Sequence, residues 1–83
     1  LFIERSRVLH QEMMAAFEVS SWAEVRSAAH TIKGSGTTFG YPDLTRMGAE
    51  VCITIDADNH AEAATAVEQL HQVLQQISGP LPT

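Results

Sequence analysis

Residues 21–40 read SWAEVRSAAHTIKGSGTTFG, and the recurrence of apolar residues in this stretch decides the architecture of the chain. Trp22, Val25, Ala29, Ile32, Gly36 and Phe39 follow one another at alternating steps of three and four, the spacing that lines side chains along one face of an α-helix. At about 100° per residue the six fall in a single band, which predicts a helix running to about Phe39 with that band turned toward a core. Ser21 with Glu24 three residues on forms a capping-box pattern, in which each side chain satisfies an otherwise unpaired backbone N–H at the helix start. Gly40 suits the left-handed cap that ends such a helix.

The opposite face of this helix does not read as scaffold. His30 lies roughly 140° from the centre of the apolar band, so its imidazole is expected to point into water. Arg26, four residues before, and Lys33, three after, share that outer face with Gly34 and Thr37. Glycine inside an exposed helix costs about 1 kcal/mol relative to alanine. A missing side chain one turn beyond His30 therefore suggests a cleared path for another protein surface to approach the imidazole. Gly36 sits in the core band, where close helix–helix packing accounts for it.

Working outward, the preceding segment from Leu1 to about Val19 carries Phe2, Leu9, Met13, Ala16 and Phe17 on one side and breaks at Ser20-Ser21. After Gly40, a third helix starts at Pro42, acceptable in a first turn, with Asp43 near the positive end of the helix dipole. Leu44, Met47, Val51 and Ile55 form its stripe. The β-branched run Val51-Cys52-Ile53-Thr54-Ile55 has strand-like composition, but an unpartnered strand is a poor solution for a chain of this size. Asp56-Ala57-Asp58-Asn59 is the last turn, with Asn59 and Glu62 again spaced as a capping box. Ala63, Ala66, Val67, Leu70, Val73, Leu74 and Ile77 then line a fourth helix that ends at Gly79-Pro80. Four amphipathic helices joined by short loops predict an all-α, antiparallel up-down four-helix bundle over residues 1–79, with residues 80–83 as a tail or linker.

Bulk properties narrow the function. A chain of 83 residues makes one small domain with a simple core. A formal charge of -5, with five scattered basic residues, gives no cationic surface for nucleic acid. The single Cys52 forms no internal disulfide, so no oxidising compartment is required and a cytoplasmic setting is expected. No apolar run approaches the roughly 18 residues needed to span a bilayer, so no membrane contact by this domain is expected. The first residue is Leu rather than Met, which points to a fragment of a longer polypeptide or a processed chain.

The outer face of the second helix thus presents an imidazole, which is a nucleophile when neutral, beside cations that suit a dianionic phosphoryl group. Phosphoryl transfer depends on positioning and charge stabilisation more than on covalent chemistry by the protein, so a sparse site of this kind is sufficient.

The run His30-Thr31-Ile32-Lys33-Gly34-Ser35, with Ala28-Ala29 before it and Phe39-Gly40 and Leu44 after, resembles the signature of the histidine phosphotransfer (HPt) family. That signature has a histidine three residues before a Lys-Gly pair, and it covers about a third of the chain. The resemblance implies that His30 is the phospho-acceptor, Lys33 a phosphate-facing cation and Gly34 the clearance for a docking receiver domain, with Arg26 and Thr37 beside them in partner docking. It further implies a carrier in a two-component phosphorelay, moving the group between aspartates of response-regulator receiver domains, some of them in a hybrid sensor histidine kinase. The chain then has no cofactor of its own and no autonomous catalytic activity, and the receiver supplies Mg²⁺ and the catalytic carboxylates. Thr38-Phe39-Gly40 also looks similar to the phosphate-accepting domain of chemotaxis-type kinases. That group carries a second His and a Glu on the next helix, where this sequence has Ala49 and Cys52, so the relay reading is preferred.

Simpler readings stand beside these. A lone His30 is ordinarily a solvated surface residue, and Arg26 and Lys33 could serve only solubility; a non-catalytic helical interaction module is the corresponding alternative. His10, His60 and His71 show no zinc-type spacing and are expected at the surface or its boundary. Lys33-Gly34-Ser35-Gly36 lacks the preceding glycines and strand of a phosphate-binding loop, and no hydrolase triad is indicated.

Overall fold

The computed structural model describes residues 2–79, with side chains for residues 4–77 and Gly79. Four helices follow in order: α1 Phe2–Glu18, α2 Trp22–Phe39, α3 Pro42–Asp56 and α4 His60–Ser78. Phe2, placed on the first apolar stripe, and the 80–83 tail lie outside the described side chains. The loops at 19–21, 40–41 and 57–59 are too short for anything but a tight reversal, so consecutive helices run antiparallel. Each helix packs on its neighbour in sequence, and α1 closes the bundle against α4.

Local chemistry fixes these boundaries. Ser20 takes a left-handed conformation (φ 56°) that turns the chain out of α1. At the start of α2 the Ser21 side chain makes no capping bond, contrary to the capping-box expectation. Its carbonyl begins the helix instead, accepting from Glu24 and Val25 N–H. Gly40 ends α2 in the left-handed conformation, as its position suggested. Asn59 does cap α4, its side-chain oxygen accepting from Glu62 N–H at 3.2 Å. The β-branched run at the end of α3 is helical, and Thr54 settles there by donating its hydroxyl to the Glu50 and Val51 carbonyls.

The core joins Met13 and Ala16 of α1, Val25, Ala28, Ala29 and Ile32 of α2, Leu44 and Val51 of α3, and Ala66, Val67, Leu70 and Leu74 of α4. Burying one such leucine or valine contributes about 1.5–3 kcal/mol. Phe39 departs from expectation. It shares the rotational position of the core band in the last turn of α2, yet it is 55% exposed.

His10 departs more sharply. Expected at the boundary, it is completely buried. Its Nε2 lies 2.6 Å from Nδ1 of His71, one nitrogen donating and the other accepting. Burying a polar side chain is costly where it is not hydrogen-bonded; His71, 61 residues away, supplies a bond to Nε2 across the α1–α4 seam, while the buried Nδ1 has no hydrogen-bond partner among the described residues. Burial first, and the neighbouring His71 second, lower the His10 pKa to about 4. His60 is exposed and His71 half-buried, as expected.

Candidate functional site

α2 buries Val25, Ala28, Ala29, Ile32 and Gly36 on one face and so presents the other to solvent. His30 is exposed in the middle of that outer face, on rigid helix two turns from either end. Lys33 is half-buried and Gly34 exposed. A Cβ built at Gly34 meets nothing within 4 Å, so the space beyond His30 is open rather than filled by another helix.

Threonine hydroxyls along α2 bond back to carbonyls of their own helix. Thr31 donates to the Ser27 carbonyl at 3.1 Å, Thr37 to Lys33 at 3.3 Å and Thr38 to Gly34 at 3.0 Å. The exposed His30 ring can be reached from solvent on this face. Beside it, an open groove of about 610 Å³ runs between α1 and α2, with Leu9, Ala15 and Val19 on one wall and Ser27 and Thr31 on the other.

α3 supplies the support for this face, and here sequence reading missed the residues that matter. A Cβ at Gly48 would lie 2.9 Å from the Ala29 carbonyl oxygen and 2.9 Å from Lys33 Cβ, so glycine at 48 lets α3 rest directly against the turn of α2 that carries His30. Gly36 repeats the device from the other side, 2.8 Å from Leu44 Cβ and 2.9 Å from Thr45 N by the same construction. Thr45 Oγ1 sits 3.1 Å from Thr37 Oγ1 and 3.4 Å from the Lys33 carbonyl, binding the Lys33 turn from a second helix. Gly48 falls on the apolar stripe of α3 much as Gly36 falls on that of α2, and a glycine at such a position is the available signal.

Arg26 occupies the same face as His30 but has a partner on α3. Its Nε donates to Asp56 Oδ1 at 2.6 Å and its Nη2 to Asp56 Oδ2 at 2.9 Å, a two-pronged carboxylate clamp. The hydrogen bond and the charge of Asp56 raise the Arg26 pKa, and the same hydrogen bond lowers that of Asp56. Nothing local in the sequence announces a pairing across 30 residues. Lys33 makes no ion pair among the described residues and is the cation left available near His30.

Cys52, one of the positions where chemotaxis-type domains carry an acceptor, is buried, its Sγ–H donating weakly to the Arg26 carbonyl at 3.7 Å. Burial raises its pKa, against the opposing pull of Arg26. Ala49 on the same helix has no polar side chain. Among the described residues no three His, Cys, Asp or Glu side chains gather as a metal site, and no helix is long and apolar enough to cross a membrane.

The family model described as Hpt domain matches residues 1–79 of the chain. No curated protein and no solved structure matches it.

Proposed function

The chain belongs to the Hpt domain family, and we propose that it carries a phosphoryl group on His30 between aspartates of response-regulator receiver domains. The observation that supports this most directly is the exposed His30 ring on a helix, with open space over Gly34 and, one turn away, Lys33, which makes no ion pair among the described residues. In the forward step a ring nitrogen of His30 attacks the phosphorus of an aspartyl phosphate. The N–P bond forms as the aspartyl carboxylate leaves, and the return step reverses this on a second receiver.

The chain's residues have simple tasks in this scheme. His30 accepts the group, Lys33 meets its negative charge, and Gly34 and Thr37 leave room for the receiver. Charge stabilisation and alignment suffice for phosphoryl transfer, and Mg²⁺ with the acidic residues that hold it belongs to the receiver. The cytoplasmic setting and a hybrid sensor kinase as a source of the group belong to the same proposal.

Ala49 and Cys52 favour a relay carrier over a chemotaxis-kinase domain, because neither supplies an exposed acceptor to orient the His30 ring. The test is transfer from a phosphorylated receiver domain with Mg²⁺. The chain is expected to gain an acid-labile, base-stable label that a folded His30→Gln variant does not. Failure of several receivers and a histidine kinase to label the folded domain would overturn the reading.

A further inference from the structure

The clamp between Arg26 and Asp56 stands one helical turn from His30, and the function proposed above leaves it unexplained. Residues four apart on a helix have Cβ atoms about 5–6 Å from each other, so the Arg26 guanidinium can reach either Asp56 across the α2–α3 seam or a group attached to His30. In the unphosphorylated protein Asp56 holds it, at 2.6 and 2.9 Å. Both side chains are substantially exposed, at 42% and 56%. Exposure to water weakens the pair relative to a buried one, although its two-pronged geometry makes it stronger than a single-contact surface pair.

A phosphoryl group on His30 changes the competition. It brings close to two negative charges and three acceptor oxygens, against one charge and two oxygens for Asp56. Guanidinium pairs with phosphate through the same parallel N–H donors it uses for carboxylate. Asp56 is also the last residue of α3, where the helix dipole is negative and no basic residue stands in the last turn. That negative helix end itself attracts a cation and supports the resting pair, so the phosphoryl group has to outcompete the carboxylate and the dipole together.

We propose that Asp56 is a positioning residue that competes with the phosphoryl group for Arg26. In the resting domain it keeps Arg26 beside α3; once His30 is phosphorylated, Arg26 transfers to the phosphoryl oxygens and Asp56 is released. This rests on His30 being the acceptor and adds a determinant of how long the group survives there. Removing Asp56 frees Arg26 for the phosphoryl group, and removing Arg26 leaves that group to Lys33 alone.

The experiment uses potassium phosphoramidate, which needs no partner: its P–N bond breaks, ammonia leaves, and a ring nitrogen of His30 takes the phosphoryl group. The Arg26 Nε–Hε resonance, assigned by its loss in Arg26→Gln, is followed in ¹⁵N spectra before and after, with His30→Gln as the control for other histidines. Phosphohistidine lifetime is measured in parallel. The expected results are a shift of the Arg26 resonance that requires His30, a lifetime lengthened about two- to fivefold in Asp56→Asn, and one shortened by a similar factor in Arg26→Gln. Arg26 unmoved in a domain phosphorylated at His30, with Asp56→Asn matching the parent lifetime, overturns the competition and leaves the acceptor reading intact. A domain that takes no phosphoryl group at His30 removes both.

Discussion

Gly48 of α3 lies directly against Lys33 of α2: a Cβ at position 48 would stand 2.9 Å from Lys33 Cβ and 3.1 Å from its backbone N. The atoms it would meet are fixed by helical backbone, so they cannot step aside as the end of a flexible side chain could. A close contact between α2 and α3 is thus placed under the turn that follows His30.

Gly48→Ala is therefore expected to force the two helices apart and destabilise the domain by about 1–3 kcal/mol, despite alanine's better helix propensity. In a domain this small that corresponds to a fall in Tm of roughly 4–8 °C per kcal/mol. Thermal unfolding followed by circular dichroism reads it, and an unchanged or raised Tm would show that the seam has slack.

Gly34 gives the opposite sign. Nothing lies within 4 Å of a Cβ there, so Gly34→Ala is expected to stabilise the helix by about 0.5–1 kcal/mol. A bulky replacement such as Gly34→Gln should fold equally well and yet obstruct a receiver. Unimpaired transfer by that variant would remove the clearance role.

Lys33→Ala tests the remaining cation. Its stem rests on Gly48, but its ammonium makes no ion pair among the described residues, so the loss of stability is expected to be small. Transfer should slow, or the phosphohistidine lifetime shorten, by about tenfold, the scale of a charge-assisted hydrogen bond. Equal rates and lifetimes would make Lys33 a bystander.

The buried His10–His71 pair predicts acid lability. His10 has a folded-state pKa of about 4, below its ordinary 6.5, so the unfolded chain binds the proton more readily than the folded one. Its contribution to stability is complete above pH 6.5, declines as the pH falls below that value, and is fully lost near pH 4. At about 1.4 kcal/mol per unit, the loss is on the order of 3 kcal/mol. Urea unfolding at pH 7 and pH 5 measures the part lost by pH 5, about 2 kcal/mol, and His10→Leu is expected to flatten the difference. A parent domain equally stable at both values would contradict the burial argument.

The contrast between these residues shows what the sequence can carry. Helix periodicity placed four helices and put His30 outward, because three- and four-residue spacing is a local property of the chain. Gly34 stood out for the same reason. The His10–His71 bond and the Arg26–Asp56 clamp join residues 61 and 30 positions apart, and no local pattern specifies which polar groups meet across a seam. Phe39 fails for a related cause: periodicity gives the direction of a side chain but not whether another helix lies there to cover it. Ser21 has the sequence of a capping residue without the bond, since its side chain makes no capping contact while its carbonyl opens α2.

The most direct test of the central claim is to locate the phosphoryl group after transfer from a phosphorylated receiver, by fragmentation mass spectrometry of the chain kept at neutral to basic pH. The account predicts a single phosphohistidine at His30, absent from His30→Gln and with His60 and His71 unmodified. A label on another histidine, or a chain left unmodified by receivers that transfer to other carriers, would contradict it.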